Sequence, residues 1–493
     1  MKRSKFSFVF IILFPLLAIM LCLLNGHGIW EVYLPAGWIS DEVSYYKQIE
    51  GMLDYGMPQG FWGYYESTAR VGTFGPWSFL AFLPYAIPGF LFGWNFFMPI
   101  LCNCLFLAGA CAAYVWLAKP STKEVLWMVA GGGVLPLISR YELSAMLEAY
   151  VIALIILLIG LIKSSLQHRS NKKCMAILIC VFLLSIPRPY FVVLLFLPLF
   201  FSESKKRIKW FLLSFVLLFL TVMIYTFVKE WFCADYVTSA LAGDNTIPSL
   251  VELIKHVLAK LQTVFYLLRQ GGAMYGYGYL LMLVVLISLF LSAYISYKEG
   301  GVSVILCLHL YIAGAILAIF ASILILYDPY AGARHIFQAS LVGWWFIMAC
   351  TVKTAKSRIF SIAAGIMVFF LYWSSRGFLY KIPFRNTVPD AEILQTELAG
   401  VVSCEAGEPW RNTLLFDRLS VDYNLVYYLP SFLGIQLVAE DFFEEKMPDS
   451  IKSTYLMTAE GSVSAEYVKD AGWNKIYYNE ERGFCIYQRP AEE

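Results

Sequence analysis

Long apolar runs separated by short polar segments dominate residues 1–376 of this 493-residue chain. Such runs predict membrane-spanning helices, because about 20 apolar residues at about 1.5 Å per residue cross a hydrocarbon core of roughly 30 Å. The apolar segments lie at about 6–24, 77–92, 95–118, 124–139, 145–162, 174–186, 190–201, 210–229, 279–297, 301–326, 336–352 and 359–376.

The segment 77–92 differs from the others because it is short and contains Pro84 and Pro88, which interrupt helix hydrogen bonds. If it lies on the outer interface without crossing, all later basic clusters between spans become cytoplasmic, as the positive-inside rule requires. These clusters are Lys119 and Lys123; Lys163, Arg169, Lys172 and Lys173; Lys205, Lys206, Arg207 and Lys209; Lys298; and Lys353, Lys356 and Arg358. We therefore predict about eleven spans, an interfacial helix at 77–92 and a cytoplasmic N-terminus.

This topology leaves three outer segments, at about 25–94, about 230–278 and 377–493. The second contains an amphipathic helix at 249–268, and the third alternates short strand-like and helix-like runs, which is typical of a small α/β domain. The predicted strands are 413–416, 435–438, 454–457, 475–478 and 484–487, and the predicted helices are 390–401 and 463–471. We expect a transmembrane domain at 1–376 and an extracytoplasmic α/β domain at 377–493.

Composition supports this division. Apolar residues make up 59% of the chain and charged residues 15%, with a mean hydropathy of +0.65. These values exclude an ordinary soluble enzyme, a disordered chain and a nucleic-acid binder that works by bulk charge. The net charge of +2 conceals a split, since residues 377–493 carry 10 basic and 19 acidic residues. The sequence therefore indicates a multi-pass protein of the cell membrane, surrounded by membrane lipids, with an acidic outer domain.

The first candidate for chemistry is the acidic pair Asp41-Glu42, which lies in the first outer segment. The surrounding loop is rich in aromatic residues and glycine, and aromatic faces at an interface suit sugar rings and lipid head groups. The alternative is that Ser40 or Asp41 simply caps a helix that runs through Tyr45 and Leu53.

Further candidates lie at the outer ends of later spans. Arg140, Glu142 and Glu148 form one group, and the alternative for Glu148 is a salt bridge with Arg140. Arg188 stands in a Pro-Arg-Pro turn, and Arg334-His335 stands before a late span. Basic residues at outer positions depart from the positive-inside rule, which favours anion binding; phosphate is a natural partner for a fixed guanidinium. The alternative for Arg334 is a pair with Asp328.

The order of these motifs resembles the GT-C glycosyltransferases, particularly protein-mannosyltransferase-like and lipid A aminoarabinose-transferase-like enzymes. The resemblance covers most of residues 1–376. Its motifs are Asp41-Glu42-Val43-Ser44-Tyr45, Gly56, Gly75-Pro76-Trp77, Leu91-Phe92-Gly93, the Pro136-to-Glu148 region with Ser139-Arg140, Arg188 beside proline, and Arg334-His335. The sequence departs from the family pattern at Ala145, where a second acidic residue is normally found. This departure leaves open whether Glu142 or Glu148 is the second acid.

The resemblance implies inverting transfer of a sugar from a polyprenyl-phosphate donor to a lipid, glycan or protein acceptor on the outer face of the membrane. Asp41 would be the general base, and Glu42 would share this role or orient the acceptor. Arg334, His335, Arg188 and Arg140 would bind the donor phosphate. No cofactor is required by the sequence; a divalent metal, with Asp41 and Glu148 as its ligands, stays open.

Two other classes of function remain open at this point. One is a transporter or flippase of lipid-linked saccharides, although the predicted spans carry almost no central ionisable groups apart from His309. The other is a noncatalytic membrane scaffold, in which the outer acids and arginines would not converge.

Overall fold

The structure is a computed structural model that describes residues 6–32, 41–55, 62–64, 66, 79–232, 250–270, 275–350, 355–373, 391–403, 413–445 and 450–490. The described α-helices, in chain order, are α1 (Ser7–Ile11), α2 (Leu13–Leu24), α3 (Asp41–Tyr55), α4 (Leu83–Phe92), α5 (Met98–Ala118), α6 (Thr122–Gly133), α7 (Pro136–Glu142), α8 (Glu148–Gln167), α9 (Asn171–Ser185), α10 (Arg207–Phe232), α11 (Leu250–Gln270), α12 (Tyr275–Gly300), α13 (Val304–Leu326), α14 (Pro329–Cys350), α15 (Ala355–Trp373), α16 (Ala391–Val401), α17 (Glu440–Glu445) and α18 (Val463–Asp470).

Six β-strands and several 3₁₀-helices complete the described elements. The strands are β1 (Trp62–Tyr64), β2 (Thr413–Asp417), β3 (Gly434–Val438), β4 (Tyr455–Ala459), β5 (Asn474–Asn479) and β6 (Phe484–Gln488). The chain forms two compact units: one comprises residues 1–32, 100–223 and 239–382, and the other comprises residues 33–99, 224–238 and 383–493.

Among the described residues of the chain, five helices are long and apolar enough to cross a membrane. They are Met98–Ala118, Glu148–Gln167, Ser204–Phe227, Gly276–Gly300 and Val304–Ile325. These helices are consistent with a multi-pass membrane protein; the number of about eleven spans and the orientation of the termini stay predictions.

Prolines divide several of the predicted apolar segments. Pro15 lacks the N–H that would bond to the carbonyl of Ile11, and the helix is interrupted at Ile12, between α1 and α2. The apolar segment 124–139 is divided in the same way, because the chain leaves helical geometry at Leu135, before Pro136 opens α7. The predicted turn at residues 187–189 is confirmed, and the segment after it, Pro189–Phe200, is a 3₁₀-helix.

Helix α14 forms the centre of the first unit. It packs against α6, α8, α12, α13 and α15, and nearly all of its side chains are buried. Gly278 permits the close approach of α12, since a Cβ at this position would lie 2.3 Å from the carbonyl oxygen of Ala333. Because protein surrounds α14, its polar residues are held inside the unit.

The second unit contains α3, α4 and a six-stranded sheet in the order β1-β3-β2-β4-β6-β5. The first four strands in this order are parallel, while β6 pairs antiparallel with β4 and β5. Helices α17 and α18 cover a buried core that includes Leu415, Leu456 and Trp473. The hairpin between β5 and β6 turns at Gly483, whose φ of +64° favours glycine.

The predicted small α/β domain is confirmed, because each predicted strand and helix of the tail is present with its ends shifted by at most about two residues. The sequence did not indicate that β1 would join this sheet. The predicted boundary at 376/377 assigns the first outer segment to the transmembrane domain, whereas in the structure its described residues from Asp41 onward group with the C-terminal sheet.

Candidate active site

The first unit contains a fully buried salt bridge between Arg188 and Glu148. The Nη2 atom of Arg188 lies 2.5 Å from Oε1 of Glu148, and both side chains have no exposed surface. Arg188 directly precedes Pro189 and has a non-helical backbone, and Glu148 is the first residue of α8. Glu148 thus forms its salt bridge with Arg188, 40 residues away in the sequence. The alternative from the sequence was a salt bridge with Arg140.

Two further side chains, Gln338 and Tyr190, complete this cluster, and neither was predicted from the sequence. Arg188 donates from Nε to Oε1 of Gln338 (3.1 Å), and the Tyr190 hydroxyl lies 3.2 Å from the same oxygen. The Tyr190 hydroxyl also lies 3.1 Å from Nδ1 of His335. His335 and Gln338 are three residues apart and so share one face of α14. Gln338 could have been found from this spacing, because it is a polar residue three positions after His335 in an apolar run.

Not every buried polar atom in the cluster is satisfied. Oε2 of Glu148 and Nε2 of Gln338 are buried and have no hydrogen-bond partner among the described residues. Native proteins satisfy most buried polar atoms, so such groups in a cluster are positions where a bound polar molecule would find partners.

Arg334 is half-buried at the start of α14, beside His335. Its charge acts on both His335 and Tyr190. The alternative partner Asp328 instead caps the helix, since its Oδ1 accepts a hydrogen bond from the backbone N–H of Tyr330 at 2.8 Å. The structure thus brings Arg188, Glu148, Arg334 and His335 together at one end of α14.

Arg140 and Glu142 lie in α7 and are also buried. The side-chain amide of Asn103 holds the end of this helix by donating to the carbonyls of Tyr141, Glu142 and Ser144, at 3.3, 3.1 and 2.7 Å. Glu142 interacts with the thiol of Cys104. Glu142 and Glu148 therefore have different surroundings: Glu148 pairs with a guanidinium, whereas Glu142 lies beside a thiol.

Burial raises the pKa of Glu142 from its usual value near 4.5 to about 8. The folded protein then binds this proton more tightly than the unfolded chain, so stability should fall as the pH rises from about 4.5 to about 8. We expect a lower melting temperature in detergent at about pH 8 than at about pH 5.5, and a smaller difference in Glu142→Gln. An exposed acid, Glu466, provides the control as Glu466→Gln. If the melting temperature of Glu142→Gln depends on pH as strongly as that of the wild type, Glu142 is not the group responsible.

Asp41 and Glu42 belong to the second unit, where they form the first turn of α3. The expected helix through Tyr45 and Leu53 is confirmed, and negative charge at its N-terminus is favourable for the helix dipole. Glu42 is fully buried, while Asp41 is partly exposed. The role of Asp41 as a general base stays a prediction.

Within the described part of the chain, no three His, Cys, Asp or Glu residues are grouped in a way that could hold a metal ion. Oε1 of Glu148 is bound to Arg188, which leaves Oε2 as its one available oxygen. Metal ligation by Asp41 and Glu148 stays an open prediction.

The apolar helices of the first unit indicate a multi-pass membrane protein, and the second unit carries a mixed β-sheet. Two crystal structures share this fold over nearly the whole chain. One is ArnT from Cupriavidus metallidurans bound to undecaprenyl phosphate, with a TM-score of 0.52, 11% identity, and coverage of 98% of this chain and 98% of that chain. The other is ArnT from the same organism in the apo state, with a TM-score of 0.50, 11% identity, and coverage of 96% and 97%. No family model and no curated protein sequence matches the chain.

Proposed function

We propose that the protein is a membrane glycosyltransferase that moves a sugar from a polyprenyl-phosphate donor to an acceptor on the outer face of the membrane. The observation that carries this proposal is the buried cluster of Arg188, Glu148, Gln338 and His335, with Arg334 beside it. It lies in a fold shared with a protein whose structure holds undecaprenyl phosphate. Positive charge exceeds negative charge in the cluster, as a phosphate site requires.

In this proposal Arg334 and Arg188 bind the donor phosphate, and Arg140 adds positive charge from α7. Glu148 holds the Arg188 guanidinium in one orientation, so that little reorganisation is needed when charge develops on the leaving group. We assign the second acid to Glu148, because its side chain pairs with Arg188 inside the cluster, whereas Glu142 lies beside the Cys104 thiol and burial raises its pKa to about 8.

The proposed reaction is a single inverting displacement. An acceptor hydroxyl or amine attacks the anomeric carbon, the bond from that carbon to the phosphate oxygen breaks, and polyprenyl phosphate leaves. Asp41 takes the proton of the acceptor as general base, and Glu42 orients the acceptor or shares this task. The fixed arginines stabilise the phosphate charge that grows in the transition state, which makes them catalytic as well as binding groups.

The function is tested with the full chain in proteoliposomes that contain a labelled undecaprenyl-phosphate sugar. Transfer of the label to an acceptor, with release of undecaprenyl phosphate, is the expected result. Movement of intact labelled lipid between the leaflets without release would instead indicate a flippase. If neither transfer nor movement is observed, the result would favour the scaffold.

Replacing Arg334 with alanine should weaken binding of undecaprenyl phosphate about tenfold to a hundredfold, the range expected for loss of one charge-assisted hydrogen bond. The affinity of Arg334→Lys should lie between those of the wild type and Arg334→Ala, because lysine keeps the charge but loses the planar arrangement of donors. The control is Lys123→Ala, which removes an exposed positive charge at the start of α6. Equal affinities of the wild type and Arg334→Ala would overturn the phosphate role of this arginine.

A further inference from the structure

The C-terminal sheet and the helix that carries Asp41 and Glu42 belong to one compact unit, although they are distant in sequence. Contacts at several places join the described residues of the first outer segment to the C-terminal residues, and three of these places are considered in turn. They lie near the middle of α3, at β1 and at Glu66, and each uses a different part of the C-terminal domain.

The first contact involves Lys47 and Tyr46 in the second turn of α3. Lys47 is nearly buried, and its Nζ donates to the carbonyl oxygen of Leu429 at 2.5 Å while it also pairs with Glu50. The Tyr46 ring lies 5.3 Å from the Tyr427 ring, centroid to centroid, and both side chains are buried. A buried ammonium is costly without partners, so Lys47 fixes α3 to this carbonyl.

The second contact is made by backbone. Strand β1 pairs in parallel with β3 in the register Trp62 to Ile435, Gly63 to Gln436 and Tyr64 to Leu437. The edge of the C-terminal sheet at β3 is therefore covered by a strand from the first outer segment. Covering this edge also satisfies backbone groups that a free edge would expose.

The third contact is Glu66, two residues after β1. Its Oε1 accepts hydrogen bonds from the backbone N–H groups of Lys452 (3.0 Å) and Ser453 (2.7 Å), and Oε2 lies 3.2 Å from the first of these nitrogens. Glu66 is 8% exposed and has a φ of +55°, a conformation that costs energy for a residue with a side chain. Such strain at a residue that bridges two segments indicates that the surrounding contacts hold it in place.

We propose that the C-terminal domain is an anchor for the Asp41–Glu42 helix, and that Glu66 and Lys47 are positioning residues for the proposed general base. This inference rests on the proposed function for the role of Asp41, whereas the anchoring itself rests only on the contacts above. Catalysis by a general base requires placement to within hydrogen-bond reach of the acceptor proton, so a loosened α3 would lower the rate of the chemical step.

The test compares Glu66→Gly and Lys47→Met with the wild type in the full chain. Glycine removes the carboxylate and also relieves the strain at positive φ, so a loosened α3 would reflect the lost hydrogen bonds from Lys452 and Ser453. We expect hydrogen exchange of the α3 amides to rise about tenfold or more in both variants, since each loses a buried charge-assisted contact. In transfer assays kcat should fall while KM for the donor stays constant, because the donor contacts are proposed for the first unit.

Two further variants separate anchoring from general damage. Glu66→Gln keeps one acceptor oxygen and should restore most of the exchange protection and of kcat. Glu466→Ala removes an exposed acid on α18 of the same domain and should behave as the wild type. Lys47→Met, which changes a different contact within α3, tests the anchor even if Glu66→Gly does not fold.

Exchange of α3 that is unchanged in both loss variants would overturn the anchor, whereas increased exchange with an unchanged kcat would overturn the positioning role of Glu66 and Lys47. A raised KM for the acceptor with an unchanged kcat would also overturn it, in favour of acceptor binding by the C-terminal domain. The exchange measurement needs no substrate. If the wild type transfers no sugar but α3 is released in both variants, the proposed function fails while the anchoring of α3 stands.

Discussion

Replacing Arg188 with methionine is expected to destabilise the protein by about 3–5 kcal/mol and to stop sugar transfer, because it leaves the buried Glu148 carboxylate without its positive partner. Methionine is close to arginine in length and leaves little empty volume, so the loss of charge dominates the effect. The measurement is thermal or denaturant unfolding in detergent, together with the transfer assay.

The double variant Arg188→Met with Glu148→Gln separates the two effects. It removes both charges, so it should recover much of the lost stability, but it should not recover transfer, since the phosphate has lost a guanidinium. The exposed pair of Lys475 and Glu460 offers a matched control, and Lys475→Ala should change stability by less than about 1 kcal/mol. Recovery of transfer in the double variant would show that Arg188 has only a structural role.

Asp41→Asn is expected to lower kcat about 10²-fold to 10⁴-fold, the range for loss of a general base, with undecaprenyl phosphate binding unchanged. Asparagine keeps the size and hydrogen-bonding capacity of the side chain at the start of α3 and can serve at a helix N-terminus, so the fold should be retained. Full activity of Asp41→Asn would exclude Asp41 as the base.

The neighbouring acid distinguishes two versions of this mechanism. If Glu42 only orients the acceptor, Glu42→Gln should raise KM for the acceptor more than it lowers kcat. If Glu42 shares proton transfer, both substitutions should lower kcat, and the double substitution should add little to the larger single effect. An exposed acid at the end of α18, changed as Asp470→Asn, serves as the control.

Local patterns predicted most of the secondary structure. The strands β2 to β6 follow short runs of apolar and aromatic residues between turn residues, and such signals lie within a few neighbouring positions. Strand β1 has three residues, and its pairing partner lies far along the chain in β3. No local pattern could predict this pairing, because the hydrogen bonds that define β1 are made entirely with another segment.

In the candidate site, too, contacts between distant segments could not be predicted from local patterns. Arg188, Glu148, Arg334 and His335 were found from the sequence because a charged residue beside an apolar span is unusual. Their pairing was not predictable: Arg140 is closer to Glu148 in sequence, yet the salt bridge is with Arg188. Gln338 was missed because an amide in a long apolar helix resembles a satisfied core residue until the neighbouring helices are placed.

The sequence by itself determined the membrane class, the helix positions, the small α/β domain and the identity of the candidate charged residues. It could do so because hydropathy, proline breaks and charge asymmetry act locally on the backbone and on its transfer into lipid. The tertiary structure decided which charges meet, which carboxyl is held by an arginine and which segment anchors α3. These outcomes depend on burial and on contacts between distant segments, because the cost of an unpaired buried charge appears only once the helices pack together.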